Sequence, residues 1–158
     1  MTGSAPGAPP AVAPAAVVLV VGTTAGGTGA HVRMLAAGLA GRGVDVLVCG
    51  PARTGAGLGL ASVPGVRLRA VEFGNRPRPG DVAALRALRC LLPGSGDTVA
   101  HAHGLRAGAL TVLALAFTRR PRPRLVVTVH NAPPAGGFAA RVIYRALERV
   151  VARGAGLV

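Results

Sequence analysis

Short apolar runs alternate with amphipathic stretches along most of this chain, and the alternation predicts its elements. Ala16-Val17-Val18-Leu19-Val20-Val21 is rich in β-branched residues and long enough for a buried parallel strand, predicted over 17–22. Val32, Leu35, Ala36 and Leu39 then recur at helical spacing, with Arg33 and Arg42 on the other face and Gly43 placed to end the helix. The same reading predicts a helix over 30–42, strands over 44–49 and 66–71, a helix over 81–92, and a strand over 98–102. A helix over 105–118, a strand over 125–130 and a helix over 138–153 complete the order. Strands separated by helices make a parallel sheet covered by helices, an α/β fold. The helix over 105–118 is apolar nearly all round and should be the most buried. In the last helix, Val142, Ala146 and Val150 join Ile143, Leu147 and Val151 in one wide apolar face.

Between these elements lie stretches without periodicity. Residues 51–64 read as a surface connection, Asp81 as the cap of the helix it opens, and Pro93-Gly94 as that helix's end. Residues 1–15 read as a disordered Ala/Pro-rich leader, and 16–158 as one domain. Gly154 to Val158 resembles the start of another buried strand. Since a domain seldom ends as a strand begins, the chain reads as a fragment of a longer protein, incomplete at its C-terminal end.

Composition narrows the function less than the charge first suggests. The net charge is +13, but all 18 basic residues are Arg, and Ala, Gly, Pro and Val dominate the remainder, which is the usage that GC-rich coding produces. The dense cluster Arg119-Arg120-Pro121-Arg122-Pro123-Arg124 reads as a solvated connection, with contact to anionic lipid or nucleic acid as the alternative. Too few aromatic residues (Phe73, Phe117, Phe138 and Tyr144) are present to build base-stacking platforms, so no nucleic-acid partner is expected. Cys49 and Cys90 lack metal or redox spacing, and both lie in apolar surroundings in the sequence, which predicts two free buried thiols in a reducing cytoplasm. The leader has no basic segment of a secretory signal, and the apolar runs at 15–22 and 107–118 are too short to span a bilayer. The expected location is cytoplasmic, with the inner face of the membrane as an extension of it.

The chemistry concentrates where strands end. In open parallel sheets, ligands collect outside the carboxyl ends of the strands, near the point where strand order reverses. Three groups fall at such ends: the turn Gly22-Thr23-Thr24-Ala25-Gly26-Gly27-Thr28-Gly29-Ala30-His31, the pair His101 and His103, and His130-Asn131. With strand order 3-2-1-4-5, the first and fourth strands would share one crevice. Glycines between a strand and a helix let backbone N–H groups and the positive helix end approach an anion. A P-loop would need Lys and Ser/Thr after Gly27, where Thr28-Gly29 stands. A dinucleotide fingerprint would need Gly at 32, which is Val, and an acid ending the second strand, where Cys49-Gly50-Pro51 stands. A plain tight turn is the competing structural reading.

His31 can face the crevice or serve as a packing residue at its helix start. His101 reads as a satisfied, half-buried histidine and His103 as the ligand contact. His130 is delivered to a strand end beside the Gly/Pro loop 131–137, a common active-site position. His-x-His hints at metal, but no Asp, Glu or Cys is nearby to complete a set, so none is expected. The five carboxylates form no acid/base pair in sequence, and no nucleophile motif appears.

Four motifs in order resemble one family. Gly26-Gly27-Thr28-Gly29-Ala30-His31-Val32, Val99-Ala100-His101-Ala102-His103-Gly104, Thr128-Val129-His130-Asn131 and Arg149 through Gly156 resemble the N-terminal domain of the family-4 retaining glycosyltransferases. Those enzymes have the GT-B architecture of two Rossmann-like domains, and the resemblance covers nearly everything from residue 17 onward. It implies a Rossmann-like parallel sheet with helices on both faces. It also implies a hexosyltransferase moving sugar from a nucleotide-sugar donor to an acceptor hydroxyl, with this domain on the acceptor side. Gly26, Gly27 and Gly29 would approach the donor diphosphate, His130 would orient the transferred sugar, and His31 and His103 would be further cleft contacts. No cofactor beyond the donor and no metal is implied. A second domain carrying a pair of Glu residues would supply most of the nucleotide site, and nothing in this chain matches it, so the chain alone is expected to be inactive. A non-catalytic Rossmann-like nucleotide- or anion-binding module is the alternative, and an NAD-linked enzyme the third.

Overall fold

The computed structural model describes residues 13–24, 26–74, 76–92, 94, 96–118, 121–129 and 137–158. Five parallel strands form one sheet: β1 (Ala16–Val21), β2 (Asp45–Gly50), β3 (Val66–Ala70), β4 (Thr98–His103) and β5 (Arg124–Thr128), in the order β3-β2-β1-β4-β5. The order reverses between β1 and β4, whose registers run from Ala16 opposite Thr98 to Val21 opposite His103. The carboxyl ends of these central strands are therefore level and adjacent.

Side-chain alternation along the strands divides the core into two layers. Val17, Leu19, Val21, Val46 and Val48 pack under α1 (Gly27–Ala40), through Val32 and Ala36. Val18, Val20, Leu47, Cys49, Ala100, Ala102, Leu125 and Val127 face the other way, under α3 (Asp81–Leu91), α4 (Leu105–Ala116) and α5 (Phe138–Gly154). Helices thus cover both faces. As its composition predicts, α4 is the most buried, with Ala107, Gly108, Ala109, Leu110, Thr111, Ala114 and Leu115 all enclosed.

Four expectations need correction. Residues 51–64 are not a structureless connection: α2 (Ala52–Gly57) and a 3-10 turn at Leu60–Ser62 fold there, burying Thr54, Leu60 and Val63. Arg33, on the exposed face of α1 as expected, ties this segment to the helix by donating from Nη1 to the carbonyls of Leu58 (2.7 Å) and Gly59 (2.5 Å). The cap position of α3 belongs to Gly80, with Asp81 inside the first turn. Cys90 is exposed, since it faces outward on α3, while Cys49 is buried.

The fourth correction concerns α5. Val151 is buried, and Leu147 and Val150 pack against the core, but Val142 (49% exposed) and Ile143 (43%) do not. α4 touches α5 where Gly108 meets Val151 and Gly154 meets Val112. Because α4 begins at Leu105, it has no turns left to cover the first half of α5. At the far end, Gly156 donates to Leu125 O and Leu157 O accepts from Val127 N, so residues 156 and 157 run alongside β5.

Candidate functional site

The turn after β1 opens on Gly26, whose φ of 67° and ψ of −139° suit only glycine. α1 begins at Gly27, three residues before the sequence pattern predicts. Its first backbone bond runs from Ala30 N to Gly26 O, which leaves the N–H groups of Gly27, Thr28 and Gly29 ahead of the helical ladder. No side chain caps this terminus and no acid stands in its first turn. It is therefore an end that attracts negative charge.

The three glycines singled out in sequence are not equivalent. Around Gly26 and Gly27 there is open space where a side chain would be. Gly29 is buried, and an added Cβ would collide with Leu58 Cδ2, so its smallness serves the packing of α1 on the segment after α2. Gly50 at the end of β2 is equally constrained, because a Cβ there would strike the carbonyl oxygen of Val21.

Histidines line the side of the sheet that α1 covers. His101 and His103 alternate with Ala100 and Ala102, which face the opposite core. His101 Nε2 lies 2.8 Å from Thr128 Oγ1 on the neighbouring β5, and the residue is half-buried as expected. His103 is 4% exposed, with its ring centroid 4.2 Å from that of His101 and 5.7 Å from that of His31, the latter pair edge-on at 67°. The fold therefore gathers His31, His103 and His101 in one row beside the carboxyl ends of β1 and β4. Among the described residues no group of three or more His, Cys, Asp or Glu side chains is arranged to hold a metal. His130 lies outside the described residues, as do Arg119 and Arg120.

Across the turn, toward β2 and β3, the carboxyl edge forms a cleft of about 390 Å³ whose walls include Thr23, Arg53, Thr54, Glu72, Phe73 and Arg78. Phe73 is 5% exposed and braces the turn, since a Cβ on Gly22 would lie 3.2 Å from its Cε2. Glu72 Oε1 accepts from Ala52 N at 2.8 Å, and Asp81 Oδ2 accepts from Arg78 N at 2.8 Å and pairs with Arg106. Arg53 and Phe73 were not legible as site residues in sequence. Arg53 falls in a stretch without periodicity, and Phe73 reads as loop until the strand before it is placed.

The fold and this edge define a class: a Rossmann-like α/β domain with an anion-attracting glycine turn and a histidine row at its topological switch point. Within that class, residues 26–158 match the model of the glycosyl transferase 4-like domain, and the chain belongs to that family. It is a glycosyltransferase-family module. No curated protein matches the sequence. Among the described residues, no helix is long and apolar enough to cross a membrane.

Proposed function

We propose that this domain is the acceptor-side half of a retaining glycosyltransferase, which moves a hexose from a nucleotide-sugar donor to an acceptor hydroxyl. The observation that carries the reading is the uncapped start of α1, opening at Gly26 where the strand order reverses. There the N–H groups of Gly27 and Thr28 have the direction and partial charge to steady a diphosphate leaving group. His31 and His103, adjacent at the same strand ends, would contact the cleft, and His130 would orient the transferred sugar. The domain needs no cofactor on this reading, because backbone dipoles and arginines neutralise the diphosphate. Two free thiols, one of them exposed, suit a reducing cytoplasm.

A second domain supplies most of the nucleotide site on this reading, so the 158-residue chain alone should not transfer sugar. The test is transfer of labelled hexose from UDP-, GDP- and ADP-linked donors. It is run on the chain and on the chain extended by any coding sequence that follows Val158. Transfer with retained anomeric configuration by the extended protein alone, lowered about 10²–10³-fold by His130→Ala, is expected. Nucleotide binding without transfer by the extended protein would instead mark a binding module.

A further inference from the structure

Resting on the transferase reading, we infer that the cleft between the β1 turn, α2 and the segment after β3 takes an anionic acceptor, a sugar or polyol bearing a phosphate group. The charges on its walls are unequal in commitment. Both carboxylates are engaged: Glu72 with the backbone N–H of Ala52, Asp81 with Arg106 and the N–H of Arg78. The guanidinium groups of Arg53 and Arg78 have no protein partner among the described residues. Two uncommitted guanidinium groups lining one cleft suit a phosphate, since each presents a planar fork of donors matched to phosphate oxygens.

The other walls fit the remainder of such a molecule. The hydroxyls of Thr23 and Thr54 offer hydrogen bonds, and the edge of Phe73 gives an apolar surface for a sugar ring. A volume of about 390 Å³ is enough for one hexose phosphate. Thr23 belongs to the turn that opens α1, so a molecule seated here has its hydroxyls beside the proposed donor diphosphate. Glu72 is the one carboxylate an incoming phosphate would meet without an ion-pair partner, and its charge should weaken binding.

The experiment is a titration of the 158-residue chain, followed by ¹⁵N–¹H shifts of the arginine Nε–H groups and by calorimetry. The probes are glucose 6-phosphate, glucose and inorganic phosphate. Glucose 6-phosphate should bind at least about tenfold more tightly than either of the others, moving the Arg53 and Arg78 signals. The double variant Arg53→Gln/Arg78→Gln should lose at least about tenfold, Glu72→Gln should gain about threefold, and the distant control Arg141→Gln should change nothing. Vesicles of phosphatidylglycerol serve as a separate arm. Vesicle binding that is lost in the double variant assigns the phosphate to a lipid headgroup, whereas soluble binding alone assigns it to a free phosphorylated acceptor. Equal affinity for glucose and glucose 6-phosphate, or an unchanged double variant, would overturn the inference. Inorganic phosphate binding as tightly as glucose 6-phosphate would overturn the sugar or polyol assignment. This failure is separable from that of the transferase reading. Sugar transfer to neutral acceptors would leave the transferase standing without this site, and phosphate binding without transfer would do the reverse.

Discussion

Asp81 in the first turn of α3 and Arg106 in the first turn of α4 form an ion pair in which both side chains are nearly enclosed, at 16% and 15% exposure. The pair ties the segment 76–80, beside the cleft, to the helix that follows the β4 histidines, and Arg106 also reaches the carbonyl of Arg76. Asp81→Asn leaves a positive charge with little water, which should lower stability by about 1–3 kcal/mol in urea unfolding. Asp45→Asn, which breaks the pair with Arg67 at 54% and 58% exposure, should cost under about 1 kcal/mol. Equal losses at the two sites would contradict the role of burial.

Gly108 on α4 is wedged between Val127 of β5 and Val151 of α5. An added Cβ would lie 2.8 Å from Val127 Cγ1 and 3.0 Å from Val151 Cγ2, and both valines are 1% exposed. Stiff β-branched side chains cannot turn aside, so Gly108→Ala should destabilise by about 1–3 kcal/mol despite the better helix propensity of Ala. Adding Val151→Ala should recover part of the loss, which a double-mutant cycle would read as coupling.

Gly26 and Gly27 are adjacent, and opposite outcomes are expected for them. Gly26→Ala meets no steric neighbour but forces Ala into φ 67°, ψ −139°, a cost of about 1–3 kcal/mol. Gly27→Ala sits in the first helical turn with open space around it and should be neutral or stabilising by up to about 1 kcal/mol. Thermal unfolding of the two variants side by side would decide it.

The two thiols should separate in both reactivity and pH. Native protein at neutral pH should react with a thiol reagent at exposed Cys90 only, and at Cys49 after denaturation. Burial pushes the Cys49 thiol from 9.0 up to about 12, against a smaller lowering by Arg69. A thiol in the unfolded chain ionises near 9.0 while the folded one stays protonated. Its contribution to stability is therefore whole below that pH and is lost as pH rises from 9.0 to about 12. The urea midpoint should fall over this window, and Cys49→Ala should flatten the fall.

Much of this was readable in the residues themselves. Ala16–Val21 and Arg124–Thr128 are strands within two residues of the predicted bounds, because a β-branched run buried on both faces has few other stable fates. The parallel pairing was legible because helices separate most of the strands, while the order 3-2-1-4-5, supposed from the sequence, was fixed by the fold. The meeting of the glycine turn with His101 and His103 followed from that order. The segment 51–64 was not readable, because its short helix contains two glycines and is held by Arg33 and Glu72 from other elements. The exposed half of α5 was not readable either, since its apolar stripe records what the helix can bury and not how far its neighbour extends.

Local periodicity and glycine chemistry were thus sufficient for the strands, the helices and the turn at Gly26, since each depends on neighbours a few residues away. Only the folded chain decided that Gly29 serves Leu58, that Cys90 faces water, that Asp81 pairs with Arg106, and that Arg53 and Arg78 line one cleft. Those relations join residues 25 to 29 positions apart or turn on which side of a helix meets the sheet, and no local pattern encodes such distances.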